Sequence, residues 1–168
     1  FKKKMCHITF DDGHESFYAN VFPVLKRQNV PVTLFVSPEV IATNSNYWFQ
    51  NVAMANSSLL AGEVSKYYDL STQELEKYRS RSLLKNLRVA ELQRIFEKDG
   101  MLPEGSRTGM NISVDEMLEM SDSGLVALGA HTINHPILLN ETDEQSDFEI
   151  SESVKQLAKI LGKEVEFF

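Results

Sequence analysis

Alternation of element types constrains this chain most. Met5 to Phe10 is a short apolar run with β-branched Ile8 and Thr9, and it stops on Asp11-Asp12-Gly13. Val21 to Gln28 then reads as a short helix, with Pro23 tolerated near its first turn. A second apolar run follows over Val32–Val36, framed by Pro31 and Pro38. Two strands joined through a helix cannot pair as a hairpin, so the crossover makes them parallel. The pattern then returns. Ser113 and Glu116 give a capping-box signal ahead of Met117, Leu118 and Met120, and Gly124 supplies the stop. Leu125–Ala130 is a third apolar strand that runs into His131. Beyond a polar loop, Ile150, Val154, Leu157, Ala158 and Leu161 recur at helical spacing up to Gly162, and Val165–Phe168 reads as the opening of a fourth strand. The expected class is α/β with parallel strands, and no internal repeat or low-complexity tract interrupts it.

Residues 46–109 differ in character. They carry Leu, Ala, Glu, Lys and Arg in helix-favouring proportion and no β-branched run, so a helical insertion is expected there. Leu84, Leu87, Leu92, Ile95 and Phe96 keep a loose helical spacing, and Ser71 with Glu74 forms another capping-box signal. Tyr47, Trp48 and Phe49 stand together near its start. They have the chemistry to stack on a sugar, although anchoring the insertion to the core is the plainer reading.

Composition removes several classes. A 42% hydrophobic and 24% charged chain is globular in type, neither disordered nor fibrous. The formal charge of -7, with no extended basic stripe, argues against nucleic acid as a partner. No stretch approaches a membrane span, and Lys2-Lys3-Lys4 leads into too short an apolar run for a signal peptide. The single cysteine, Cys6, cannot form an intrachain disulfide and is expected as a small buried residue of the first strand.

Two clusters carry chemistry, and both follow strands, at the face where parallel α/β proteins bind ligands. Asp11 and Asp12 come directly after an apolar run. If buried together they would repel unless a cation or a proton sat with them. His131 and His135 are four apart, and Pro136 keeps His135 out of a right-handed helix, so one tight loop would turn both imidazoles toward a point. Taken singly, each cluster has a plainer reading, as a turn with a helix cap or as a loop histidine pair. Taken together they offer a carboxylate oxygen and two imidazole nitrogens, a donor set suited to an open divalent site.

Thr9-Phe10-Asp11-Asp12-Gly13 followed by His131-Thr132-Ile133-Asn134-His135-Pro136 resembles the polysaccharide deacetylase family, the NodB-homology domain of carbohydrate esterase family four. Pro31-Val32-Thr33-Leu34-Phe35-Val36 is similar to that family's second strand, and Ser123 to Ala130 is similar to its approach to the histidine motif. The likeness covers about residues 5–40 and 112–168. It implies a partial (β/α) barrel with a helical insertion and metal-dependent hydrolysis of N-acetyl, or secondarily O-acetyl, groups on a carbohydrate. Asp12, His131 and His135 would hold the metal, with zinc the first choice and cobalt or nickel able to use the same donors. Asp11 would be the general base, Thr132 would support the histidine loop, and His14 and Trp48 would be candidate substrate contacts. The alternatives for these two are an exposed loop histidine and the anchor above. His7 is read as a structural residue of the first strand.

The family's later motifs, which supply a general acid and an oxyanion-hole N–H, would begin after a Phe-Phe-like strand. Here the chain reaches Phe167-Phe168, and a closed barrel takes roughly 250 residues. Residues 1–168, starting at Phe rather than Met, are therefore expected to be the N-terminal portion of a larger domain. Family resemblance also places such a protein at the cell envelope or outside the cytoplasm, and oligomeric state is not legible. The competing reading is a non-catalytic carbohydrate-binding or envelope-assembly protein that keeps the deacetylase fold. Phosphoryl transfer, the other chemistry of acids after strands, leaves the two histidines without a use.

Overall fold

The computed structural model describes residues 5–71, 75, 80–106 and 109–168. The expected parallel sheet is present as β1 (Thr9–Phe10), β2 (Val32–Val36) and β3 (Val126–Ala130), ordered β1-β2-β3 with both pairings parallel. Its register sets Phe10 beside Leu34, Leu34 beside Leu128, and Val36 beside Ala130. The chain thus leaves all three strands on the same edge. Crossovers are helical. A π-helical turn over Phe17–Val21 leads into α1 (Phe22–Gln28), which ends on Asn29 in the left-handed conformation. Helix α2 (Pro38–Ala42) follows β2 directly.

By contacts the described chain forms two compact units. The first comprises Phe1–Ser45, Gly109–Asn134 and Asp147–Phe168 and contains the sheet. Its core gathers Leu34 and Val36 from β2, Leu128 and Ala130 from β3, Phe22 from α1, and Met117 and Met120 from α7 (Val114–Asp122), all under 7% exposed. Here Ser113 caps α7 as its sequence signal predicts: its Oγ accepts from Glu116 N–H, and Glu116 Oε2 accepts from Ser113 N–H. The second unit comprises Asn46–Thr108 and His135–Ser146. It is built from α3 (Trp48–Met54), α4 (Ser57–Tyr68), α5 (Ser80–Leu83) and α6 (Val89–Phe96), with no strand among the described residues. Leu84, Leu87, Leu92, Ile95 and Phe96 form much of its core. The Ser71–Glu74 capping signal involves residues outside those described.

Four expectations need correction. The first strand is paired only over Thr9–Phe10, and Met5 and Ile8 ahead of it are exposed. Cys6 precedes that pairing and is exposed rather than buried. No strand forms at Val165–Phe168 among the described residues. A single backbone bond, Ala130 N–H to Phe167 C=O at 2.9 Å, stands where a ladder was expected. Finally, of the predicted apolar face of α8 (Asp143–Leu161) Leu157 is buried, while Ile150, Val154, Ala158 and Leu161 are only half-buried and the polar Glu149 and Ser153 complete the buried row. Among the described residues no helix is long and apolar enough to cross a membrane.

Candidate functional site

The acidic turn is built by backbone constraints. Asp12 and Gly13 both have left-handed φ, +70° and +72°, and Gly13 N–H donates to Asp11 C=O at 2.9 Å. A Cβ at Gly13 would lie 3.1 Å from Val36 Cγ1 and 3.2 Å from Ile112 Cδ1, so only glycine fits both the angle and the space. Ile112 N–H bonds Gly13 C=O at 2.8 Å and fixes the far side of the turn. The two acids are not buried together. Asp11 is exposed and Asp12 half-buried, so the mutual-burial argument for a cation does not apply. What the turn does is separate two adjacent carboxylates by environment.

The histidine loop begins one residue beyond β3. His131 N–H donates to Val36 C=O at 2.9 Å, prolonging the sheet ladder, while its own carbonyl accepts from Ser37 Oγ at 2.8 Å and from Thr132 Oγ1. Thr132 has φ +61°, an outlier for a β-branched residue, and is buried. The next two backbone N–H groups, of Ile133 and Asn134, donate to Glu149 Oε2 at 2.8 and 2.9 Å. His135 has φ +56°, outside the right-handed helical region that Pro136 disfavours but also outside the extended region it favours.

This arrangement brings His131 Nε2 to 3.7 Å from Asp12 Oδ1, with both side chains about one-third exposed. Asp12, His131 and His135 each present one donor atom, and together they form a group able to hold a metal ion. The donors fit a divalent ion: one anionic oxygen and two neutral nitrogens satisfy part of its coordination and leave open positions. Asp11 is outside that group.

Within the second unit, Trp48 Nε1–H donates to His135 C=O at 3.0 Å, and the rings of Tyr47 and Phe49 stand edge-on to the His135 ring at 5.3 Å each. Trp48 is thus committed to the backbone of a candidate ligand. His14 forms an isolated bridge with Asn111, and its Nδ1 accepts from Ser16 N–H at 3.1 Å and meets Ser16 Oγ at 3.0 Å. His7 Nε2 lies 2.8 Å from Thr33 Oγ1, on the neighbouring strand.

Sequence reasoning overlooked Ser37 and Glu149, which hold the histidine loop. Ser37 follows β2 as His131 follows β3, a parallel that strand register would have exposed. Glu149 falls in an i, i+4, i+8 row with Ser153 and Leu157, and a row that mixes polar and apolar types gives no hydrophobic signal.

A family profile described as Polysaccharide deacetylase matches residues 1–168. No match is found among curated proteins. Among solved structures, the chain is similar to the deacetylase PplD of Streptococcus pyogenes, determined in complex with acetate, at 18% identity and a TM-score of 0.54; 97% of this chain and 44% of that chain are covered. It is also similar to IcaB of Ammonifex degensii at 19% identity and a TM-score of 0.53, covering 98% of this chain and 49% of the other. The chain therefore spans less than half the length of either structure, and at such identities the likeness concerns the fold.

Proposed function

Because the chain belongs to the polysaccharide deacetylase family, we propose that it carries the acidic and histidine elements of a site that hydrolyses N-acetyl, and secondarily O-acetyl, groups on a carbohydrate. The observation that carries this reading is the approach of His131 to Asp12 at 3.7 Å across the ends of two strands, with His135 on the same loop and Asp11 left outside.

Asp12, His131 and His135 would hold a divalent ion, zinc by choice of donors, with cobalt or nickel as alternatives. When bound, such an ion supplies Lewis-acid chemistry, lowering the pKa of water and polarising the acetyl carbonyl. The chain's own part is in the carboxylates. Asp12, turned toward His131, contributes a fixed negative oxygen. Asp11, one residue earlier and exposed, stays available to take a proton from the attacking water. Both histidines have their backbone held, His131 by Val36 and Ser37 and His135 by Trp48, so the points from which the imidazoles project are set before substrate arrives. An acetylated polymer as substrate also supports placing the protein at the cell envelope or outside the cytoplasm.

The test combines elemental analysis with acetate release. Purified chain should contain close to one equivalent of zinc, cobalt or nickel after exchange, and Asp12→Ala and His131→Ala should each lose it. N-acetylated oligosaccharide should release acetate faster than an O-acetylated one. Glycan binding by calorimetry without acetate release, in a protein that includes any further domain residues, would favour the binding-protein reading. Metal content untouched by both substitutions would sink the site assignment.

A further inference from the structure

Glu149 has no exposed surface, although it is a carboxylic acid in the middle of a helix. Burying such a group is costly unless its oxygens are bonded, and here they are. Oε2 accepts from Ile133 N–H at 2.8 Å and from Asn134 N–H at 2.9 Å, while Oε1 accepts from Asn134 Nδ2–H at 3.0 Å. All three donors belong to the two residues midway between His131 and His135. Successive N–H groups aimed at one anionic oxygen make an anion-binding concavity, and a carboxylate, which only accepts, suits three donors better than any neutral side chain.

The loop needs such a partner. Ile133 is 4% exposed, and its N–H belongs to neither a helix nor a strand. Thr132, just before it, sits at φ +61°, which an L-residue with a branched Cβ resists. Ser153, one turn along α8, bonds Ile150 C=O at 2.7 Å and leaves the carboxylate to the loop. We propose that Glu149 is a positioning residue: by gripping the backbone at Ile133 and Asn134 it fixes the course of the loop from which both histidines project, and so governs affinity for a divalent ion. This inference rests on the metal-site reading above.

The test measures the Co2+ dissociation constant of the 168-residue chain by calorimetry, well below its unfolding temperature. Exchange rates of the Ile133 and Asn134 amides and the melting temperature are recorded beside it. Glu149→Ala should weaken Co2+ binding by about 10–100-fold, the usual effect of losing an outer partner of a metal ligand, and should speed exchange at both amides. Glu149→Gln should recover affinity to within about fivefold, because its amide oxygen still takes the backbone N–H groups and Asn134 can turn its own oxygen to the new NH2. If Glu149→Ala does not fold, Asn134→Ala replaces it; that variant removes only the bond to Oε1 and should cost about threefold in affinity. A lower melting temperature with an unchanged Co2+ constant would reduce Glu149 to a folding role and overturn the inference. A wild-type chain that takes up no Co2+ overturns the metal reading and this inference with it. Wild-type binding that Glu149→Ala leaves intact overturns this inference alone.

Discussion

Asp11 and Asp12 are adjacent in the chain yet meet different surroundings: Asp11 is exposed, while Asp12, at left-handed φ, is half-buried beside His131. That difference predicts different losses. Asp12→Ala should abolish stoichiometric metal uptake, whereas Asp11→Asn should retain the metal and slow acetate release by about 10²–10⁴-fold, the span typical of a lost general base. Elemental analysis and a coupled acetate assay on the same preparations would check both. Gly13→Ala adds a methyl group at a disfavoured backbone angle and tight against Val36 and Ile112. It should lower stability by about 1–3 kcal/mol in urea denaturation, from backbone strain and crowding together. The letters Asp, Asp, Gly, His and His were legible in the sequence. The burial difference between the two acids was not, because it depends on a backbone angle that the residue types permit without demanding.

Elements show the same division. Strand β2 was readable to the residue, since prolines frame an unbroken apolar run, while β1 was overread because a strand's length is set by its partners. On α8 Leu157 is buried as expected, but the rest of the buried row was missed, since Glu149 is buried by hydrogen bonding and not by hydrophobicity. The α7 cap was legible because a capping box is local. Ser113→Ala should therefore cost about 1 kcal/mol, measurable as a lower denaturation midpoint with unchanged slope. On α4, Glu63 is bonded to Lys66 at 2.6 Å and to Lys98, and these two lysines, Lys66 foremost, hold its carboxyl below the usual carboxylate range. A lowered folded-state pKa means stability that is present above the ordinary carboxylate pKa and lost as pH falls through the lowered value. Glu63→Gln should thus narrow the gap in melting temperature between neutral pH and about pH 3, by no more than a surface network allows, at most ~1 kcal/mol.

For the whole chain, the sheet-bearing unit and the helical unit each bury an apolar cluster of their own. Ion binding should register on melting as well as on chemistry. Free Co2+ at about 100 times its dissociation constant should add ~2.7 kcal/mol, or roughly 5–10 °C, in scanning calorimetry, and a chelator should remove the gain. Asp12→Ala should show no such gain at the same concentration. The alternation of strands and helices on either side of residues 46–109 made the fold class legible. The supports of the histidine loop were not, since Ser37, Trp48 and Glu149 come from three distant segments that only folding assembles. Asp12, Thr132 and His135 all sit at positive φ, a conformation that costs an L-residue about 1–2 kcal/mol each. A synthetic hexapeptide spanning 131–136 would relax out of that shape at once, so grafting these letters onto another scaffold would transfer a name for the site without its coordination chemistry.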